Sequence, residues 1–383
     1  EDPDRNVDGR IEITVLGRPG EMSAPTVEGV RSKTVVLSWT PPVNNGSEIT
    51  HYVVSASDGK SFDCKTTTCT LEGLTNDLEY TFTVVAHNAV GVSDPSPESA
   101  PARPDERPDP PAAPSLKFGD GSLEVTWTNA TYTDRSQIVD VTLEISPAPP
   151  SGQVQKTHVA GTSLVWDGLV NGTEYKVRVM AHNNAPEPSD FSPYSLGEIP
   201  AGVPSTPGAP TASRVDTPLG GEISVSWGEP ANNGDAIAGY ELEVRESGNL
   251  VRTIQVNGTQ QTVTGLEVSG TYTFAVRARN KAGFSETSGA SEPVTPFGRP
   301  GPAGTPSASL IENNTSGRAR VTWTAAAPNG NPVTYRVRAN GNVVVDSTSE
   351  TTVTVTGLNN GTAYRFTVEP VNAGGSAGPT AQS

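Results

Sequence analysis

Acidic residues near the start of the chain are the first whose type and spacing could bind a metal ion. Oxygen-bearing side chains stand on alternate positions there and end in the turn residue Gly9, as in the first half of a calcium-binding loop. The position where such a loop places its bidentate Glu is Val15. The segment therefore predicts either a Ca²⁺ site or an ordinary acidic loop. The candidate metal ligands are Asp2, Asp4, Asn6, Asp8 and Glu12.

Cys64 and Cys69 are the only two cysteines, and four residues separate them. No helical pattern follows, so a redox motif is not favoured. The pair is either a disulfide or two free thiols. A disulfide is geometrically reasonable if one short strand turns into the next at this point.

Other catalytic signatures find no support. Residues 374–378 fit the Gly-x-Ser-x-Gly pattern, but that pattern needs a strand-to-helix turn and a nearby His. We interpret His87 and His182 as duplicated surface residues, because they occupy equivalent positions in two repeats. Neither a phosphate-binding loop nor a dinucleotide fingerprint is present. The sequence predicts that this chain is not an enzyme and has no cofactor apart from the Ca²⁺ considered above. The histidines are His51, His87, His158 and His182.

Composition excludes two classes of partner. The 383 residues carry 42 Asp and Glu against 26 Lys and Arg, a net charge of −16. Such a surface repels phosphate backbones, so no nucleic-acid partner is expected. The chain has no apolar run of 18 residues, so no membrane span is predicted. Glu1 is neither an initiator Met nor the start of a signal peptide, and we interpret the chain as an internal piece of a longer protein.

Two landmarks recur about every ninety-five residues. One is a Trp that closes a run of alternating apolar residues, and the other is a Gly-Leu pair whose Leu stands six residues before a Tyr. Alternation places every second side chain on one face of a strand. Helical periodicity is absent, and short strands with this repeat predict sandwiches of about seven strands. The landmarks are Trp39, Trp127, Trp227 and Trp323, and then Tyr80, Tyr175, Tyr272 and Tyr364.

Each repeat resembles a fibronectin type III domain. The resemblance rests on the Trp, the Gly-Leu-x5-Tyr element, Pro-Pro or Asn-Gly loops such as Pro41–Gly46, and an Asn-x-Ala-Gly type of turn. It implies an all-β chain of four tandem seven-stranded sandwiches. The amino-acid sequences of the loops resemble those of bacterial, especially actinobacterial, surface proteins more than those of animal receptors. The second repeat departs most, over 129–137. We call the repeats module 1 (21–104), module 2 (105–200), module 3 (201–297) and module 4 (298–383).

Proline clusters mark the module boundaries and predict semi-rigid joints. At the first boundary, 105–107 reads as a solvated stretch. Residues 1–20 are expected to lie outside module 1. Ile11, Ile13 and Val15 alternate like the last strand of an upstream Ig-like or cadherin-like domain, with a linker to Gly20.

The resemblance also bears on the alternatives left open for the cysteines, for Trp166 and for three aromatic residues of module 2. An extracellular type of family favours a disulfide between Cys64 and Cys69. Trp166 is either a sugar-stacking residue or a core residue, and its position two residues before a landmark Gly favours the core. Tyr132, Phe191 and Tyr194 lie in or near unusual loops of module 2 and are candidates for partner binding. Packing against a neighbouring module is the alternative for these three.

The resemblance implies an extracellular, secreted or cell-surface protein. We expect a spacer and adhesion segment that contacts protein or glycan at a cell surface, or other copies or domains of the same protein. The alternative is a set of accessory linker modules in a secreted carbohydrate-active enzyme.

Overall fold

The computed structural model describes residues 12–311 and 317–383, and every regular element in these ranges is a β-strand. The chain divides into two compact units, Glu1–Pro200 and Ala201–Ser383. Each unit holds two sandwiches. This architecture confirms the all-β fold class that the alternating runs predict.

Modules 1 and 2 each contain six regular strands. In module 1 they are β1 (Thr26–Arg31), β2 (Thr34–Ser38), β3 (Ile49–Ala56), β4 (Ser61–Cys64), β5 (Thr68–Glu72) and β6 (Phe82–Asn88). In module 2 they are β7 (Ser115–Gly119), β8 (Ser122–Thr126), β9 (Asp140–Ser146), β10 (Gln155–Val159), β11 (Ser163–Asp167) and β12 (Lys176–His182).

Modules 3 and 4 each add a seventh strand of two residues. Module 3 contains β13 (Thr211–Arg214), β14 (Ile223–Ser226), β15 (Gly239–Glu246), β16 (Asn249–Val256), β17 (Gln260–Val263), β18 (Tyr272–Asn280) and β19 (Gly283–Phe284). Module 4 contains β20 (Ser307–Leu310), β21 (Ala319–Thr322), β22 (Thr334–Ala339), β23 (Asn342–Thr348), β24 (Thr352–Val355), β25 (Phe366–Asn372) and β26 (Gly375–Ser376).

The four modules share one topology. In module 1 the order β1-β2-β5 forms one antiparallel sheet and β4-β3-β6 forms the other. Apolar side chains alternate inward on facing strands of the two sheets, and the landmark Trp closes the core at one end. Trp39, Trp127, Trp227 and Trp323 are all buried. Burial of one indole per module gives each small sandwich the apolar bulk that its core needs.

The landmark Tyr fixes the corner before β6 and its equivalents. Its hydroxyl accepts a hydrogen bond from the backbone N–H five residues upstream in every module. In module 1 this bond joins Thr75 N and Tyr80 Oη at 3.0 Å. The other three bonds join Val170 to Tyr175, Glu267 to Tyr272 and Asn359 to Tyr364.

A proline-rich extended segment completes the second sheet of each module. In module 1, Ser96 N donates to Val84 O at 2.9 Å, while Ser96 Oγ accepts from Val84 N at 2.9 Å. A Ser at every third position repeats this reciprocal pair, and three residues per turn is the period of polyproline II. The segment thereby satisfies the edge of β6 without forming a flat strand. The other ladder residues in modules 1 to 3 are Ser93, Ser99, Ser189, Ser192, Ser195, Ser285, Ser288 and Ser291.

Module 4 shows why the ladder uses hydroxyl groups. Its β25 contains Pro370, which has no N–H to donate. The residue opposite is Ala377, whose N–H still donates to Pro370 O at 3.3 Å. Where β25 does offer an N–H, the hydroxyl returns, at Thr380 opposite Val368 and at Ser383. A hydroxyl side chain therefore occurs in the extended segment where the partner strand offers a backbone N–H group to it.

The segment before module 1 differs from the expectation. Residues 12–25 form no strand, so the described part of the expected upstream strand, Ile13 and Val15, is exposed and unpaired with any sheet. Gly17 N donates to Asn45 O and Gly20 N donates to Val43 O. The linker therefore packs on module 1, because loop carbonyls there accept its N–H groups. Ile11 lies outside the described residues.

Candidate interaction surfaces and joints

A polar residue at the end of β6 and its equivalents ties each module to the segment that enters it. Asn88 Nδ2 donates to Gly17 O at 2.8 Å and to Asn44 O at 3.3 Å. Asn280 makes the same pair of contacts in module 3, to Gly202 O and Asn232 O. Sequence reasoning reads this Asn only as a turn residue. Its recurrence at one place in each repeat is the signal for its role as a clamp; the remaining clamp residues are Asn183 and Asn372.

The joint between modules 1 and 2 is organised by a buried carboxylate. Asp105 is 2% exposed, so the expectation of a solvated stretch at 105–107 is wrong at this residue. Its carboxylate accepts hydrogen bonds from Glu106 N, Ser136 N and Ser136 Oγ. Three donors offset the cost of removing the charge from water. Ser136 Oγ also accepts from Asn184 N at 3.0 Å, so the network reaches the clamp loop.

Module 1 contacts this network through the loop before its landmark Tyr. Asn76 is buried, and its Nδ2 donates to Ser32 Oγ within module 1 and to Asp134 O in module 2. Asn184 Nδ2 of module 2 donates to Asp77 Oδ1 at 3.2 Å. Directional hydrogen bonds from both sides fix how the two sandwiches meet at this joint.

Tyr132 belongs to the same joint. Its hydroxyl accepts from Asp109 N at 2.9 Å, and the Arg135 guanidinium lies 4.7 Å from its ring centroid. Arg135 also pairs with Asp134 at 3.1 Å, and this hydrogen bond holds the pKa of Asp134 below its ordinary value. These contacts lie within module 2, so both partner binding and packing against a neighbouring module stay predictions for Tyr132.

The joint between modules 3 and 4 uses an arginine pair and an aromatic ring. Arg299 pairs with Asp216 at 2.9 Å, and its backbone N–H donates to Pro218 O at 3.1 Å. The guanidinium of Arg214 lies 4.7 Å from the ring centroid of Phe297. The hydrogen bond from Arg299 lowers the pKa of Asp216. The acidic partner here is exposed, in contrast to the buried Asp105 of the other joint.

Phe191 and Tyr194 lie on the outer face of module 2, where they flank Arg178. The guanidinium stands 4.3 Å from one ring centroid and 4.9 Å from the other. Tyr194 Oη donates to Glu144 Oε1 at 3.1 Å, and Arg178 pairs with the same carboxylate. Burial alone would raise the pKa of Glu144, but hydrogen bonds from Gln155, Arg178 and Tyr194 outweigh it and keep the pKa below its ordinary value. The four side chains form one stacked surface with Tyr194 39% exposed.

Module 3 has a shorter version of this surface. Arg277 pairs with Glu241 at 2.6 Å and lies 4.3 Å from the ring centroid of Phe284. On the paired strands β3 and β6 of module 1, the rings of His51 and His87 stack at 4.3 Å. The side chains on the outer faces therefore differ although the strands of these three modules pair in the same order.

The histidines are less scattered than the sequence indicates. Besides the stacked pair in module 1, His158 and His182 have ring centroids 5.8 Å apart, with His158 Nδ1 3.0 Å from Asp140 Oδ2. Strands β10 and β12 both pair with β9, and this arrangement brings His158 of β10 near His182 of β12. In the part of the chain that the structure describes, no group of three or more His, Cys, Asp or Glu could hold a metal ion.

Cys64 and Cys69 form a disulfide with Cα atoms 5.8 Å apart, as the resemblance implies. The bridge joins the ends of β4 and β5, which belong to different sheets, so it links the two layers of module 1 rather than two partners in one hairpin. Trp166 is buried in the core of module 2, where the core interpretation places it.

The calcium proposal remains a prediction. Asp2, Asp4, Asn6 and Asp8 lie outside the described residues, and Glu12 is exposed. Within residues 12–311 and 317–383, no helix could cross a bilayer.

Comparison with known proteins shows the family. The fibronectin type III domain matches residues 20–102, 208–294 and 304–383. The chain belongs to this family. Module 2 lies outside the matched ranges, yet it has the same strand order, core Trp and Tyr corner.

Similar proteins come from animals. Rat contactin-4 is 26% identical over 97% of this chain and 39% of that protein. Zebrafish receptor-type tyrosine-protein phosphatase F is 27% identical over 92% of this chain and 20% of that protein. Domains A168–A170 of titin form a solved structure that is 20% identical, with a TM-score of 0.35 over 72% of this chain and 97% of that chain. The chain spans less than half of contactin-4 and of the phosphatase, and neither of these two relatives supports a bacterial source.

Proposed function

We propose that this chain is an extracellular, non-catalytic spacer and adhesion segment of a larger protein. The disulfide between Cys64 and Cys69 carries the proposal, because disulfides persist in oxidising compartments and are rare in the cytosol. The likeness of this chain to a receptor-type relative over 92% of its length supports the same assignment.

The joints support the spacer role. Within each unit, side chains from both modules contribute to the joint, as Asn76 and Asn184 do in one and Asp216 and Arg299 do in the other. Directional contacts of this kind hold neighbouring modules at a fixed angle, so a partner site on one module keeps a defined place relative to the next.

The adhesion role falls to the stacked surface of module 2, and its partner is a protein at a cell surface. Arg and aromatic residues are enriched in protein interfaces, and rings already held against a guanidinium lose little rotamer freedom on binding. Phe191 and Tyr194 are held in this way by Arg178. The neighbouring Glu144 adds a hydrogen-bond acceptor to the same surface.

Binding of the fluorescently labelled chain to a panel of cultured cells tests the adhesion role. We expect saturable binding that Tyr194→Ala weakens at least about tenfold, as for a central interface residue. Phe284→Ala in module 3 is the matched control, because Phe284 covers Arg277 as Phe191 covers Arg178. Equal losses in both variants would contradict a site on module 2, and binding to a glycan array in place of cell-surface protein would contradict the partner class.

Thiol counting tests the compartment separately. The protein isolated from its natural source should contain no free thiol, and alkylation followed by mass spectrometry measures this directly. Two alkylated cysteines at Cys64 and Cys69 would contradict an extracellular location.

A further inference from the structure

The amino-terminal end of module 1 presents half of a joint. Residues 17–20 read Gly-Arg-Pro-Gly, and the same four residues recur at 298–301, where module 3 meets module 4. The recurrence is structural as well. Gly17 N donates to Asn45 O at 2.9 Å, as Gly298 N donates to Asn329 O at 2.9 Å.

Two further contacts align Arg18 with Arg299. Asn45 Nδ2 donates to Arg18 O at 2.8 Å, and Asn329 Nδ2 donates to Arg299 O at 2.7 Å. The clamp residues Asn88 and Asn372 then hold the preceding glycine carbonyl in both places. The two lead-in segments are therefore fixed in the same way on their own modules.

The residue before the motif is also equivalent. Leu16 lies over Gly46, and Phe297 lies over Gly330; each glycine has a φ of +85°. At the joint before module 4, the ring of Phe297 is covered by Arg214, 4.7 Å from its centroid. Leu16 is 51% exposed, and the neighbouring Val43 is exposed as well.

The difference lies in what completes each half. At the joint between modules 3 and 4, Asp216 of module 3 pairs with the Arg299 guanidinium and Pro218 O accepts from the Arg299 N–H. Among the described residues, the Arg18 guanidinium pairs with Asp94 of module 1 alone, at 3.3 Å, and its side chain is 61% exposed. Among the described residues no acceptor lies within hydrogen-bond distance of the Arg18 N–H.

We propose that this end of module 1 docks the far end of another fibronectin type III module. The partner module would present a carboxylate to the Arg18 guanidinium and, two residues later in the same loop, a carbonyl oxygen to the Arg18 N–H. An apolar or guanidinium group on that module would cover Leu16. This arrangement reproduces the geometry of Asp216, Pro218 and Arg214 at the joint between modules 3 and 4.

A grafted array tests the proposal. A second copy of residues 201–296 is joined directly to residue 16 of the chain, so that the graft precedes Leu16 as Pro296 precedes Phe297. Amide hydrogen exchange, read by fragmentation mass spectrometry, then reports on Arg18. We expect exchange of the Arg18 N–H to slow at least about tenfold relative to the original chain, because a backbone acceptor becomes available.

Substitutions separate docking from simple proximity. In the grafted array, Arg18→Ala and Asp216→Ala of the graft should each lower the protection of residues 16–20, and the double substitution should add little to either. Arg299→Ala is the positive control at the existing joint. Lys117→Ala, which removes a surface pair with Glu124 inside module 2, should leave the protection unchanged.

Two results would overturn the proposal. The first is exchange at Arg18 that is equally fast with and without the graft. The second is protection in the original chain that rises with protein concentration, because a second copy of the chain would then be the occupant. None of these outcomes depends on adhesion to cells, so the inference stands or falls apart from the proposed function.

Discussion

The joint between modules 1 and 2 and the joint between modules 3 and 4 hold similar lead-in segments with different chemistry. The first buries the Asp105 carboxylate under three donors from module 2. The second leaves Asp216 and Arg299 partly in water and adds a guanidinium over Phe297. One joint therefore depends on satisfying a buried charge, and the other on close packing and an exposed ion pair.

Asp105→Ala should have the largest effect of any substitution at the joints. It leaves the N–H and hydroxyl of Ser136 without their acceptor in a buried site, which costs about 1–3 kcal/mol. Scanning calorimetry of the whole chain should show a lower melting temperature for module 2. Asp109→Ala, which removes a nearby exposed carboxylate, is the control and should change little. Equal effects of the two substitutions would argue against a buried network.

Gly330→Ala should open the joint between modules 3 and 4. Its φ of +85° strains any other residue, and an added Cβ would lie 2.1 Å from Val268 O of module 3. Gly46→Ala is the matched control, with the same φ but the flexible end of Leu16 as its nearest neighbour. Both carry backbone strain of about 1 kcal/mol or more. A larger drop in melting temperature for Gly330→Ala would isolate the clash between modules, whereas equal drops would show that only strain matters.

Acid should weaken the joint between modules 3 and 4. The hydrogen bond from Arg299 lowers the pKa of Asp216, so its contribution to stability is complete above the ordinary value of about 3.9 and is lost as the pH falls through the lowered pKa. Protection of the amides at residues 297–299, measured relative to their intrinsic exchange rates at each pH, should therefore fall below about pH 4. In Asp216→Asn this loss of protection should be absent, and its persistence would assign the acid response to another group.

High salt should weaken one joint and not the other, and this effect should be the smallest of those predicted. The Arg299–Asp216 pair is exposed, and 1 M salt reduces the screening length to about 3 Å. Protection at residues 297–299 should fall modestly in 1 M NaCl, while protection at residue 136 should stay the same. A similar fall at both places would contradict the contrast between exposed and buried chemistry.

The core could be predicted from the sequence, because alternation around Trp39 and Tyr80 and their repeats has only one physical reading in short strands. The disulfide followed from the family resemblance, but its place between two sheets did not, since spacing alone cannot separate a hairpin from a sandwich edge. The clamp Asn88 and the buried Asp105 could not be predicted. A turn Asn and an acidic linker residue are equally typical of solvent-exposed loops, and only the partners brought by the fold bury them.

The serine ladder lies between these cases. Its period of three is visible in Ser93, Ser96 and Ser99, but Ser-Pro segments are also typical of disordered linkers. Pro370 opposite Ala377 shows that the pattern carries information about pairing. A missing hydroxyl in one segment predicts a missing N–H in the strand beside it.

The central claim is that hydrogen bonds across the joint hold modules 1 and 2 at one fixed angle. Spin labels at Glu72→Cys in module 1 and Lys176→Cys in module 2, read by pulsed electron resonance, measure the distance between them. The account predicts one narrow distance distribution that broadens when Asn76→Ala and Asn184→Ala remove the bonds across the joint. A distribution that is already broad with both asparagines in place would contradict it.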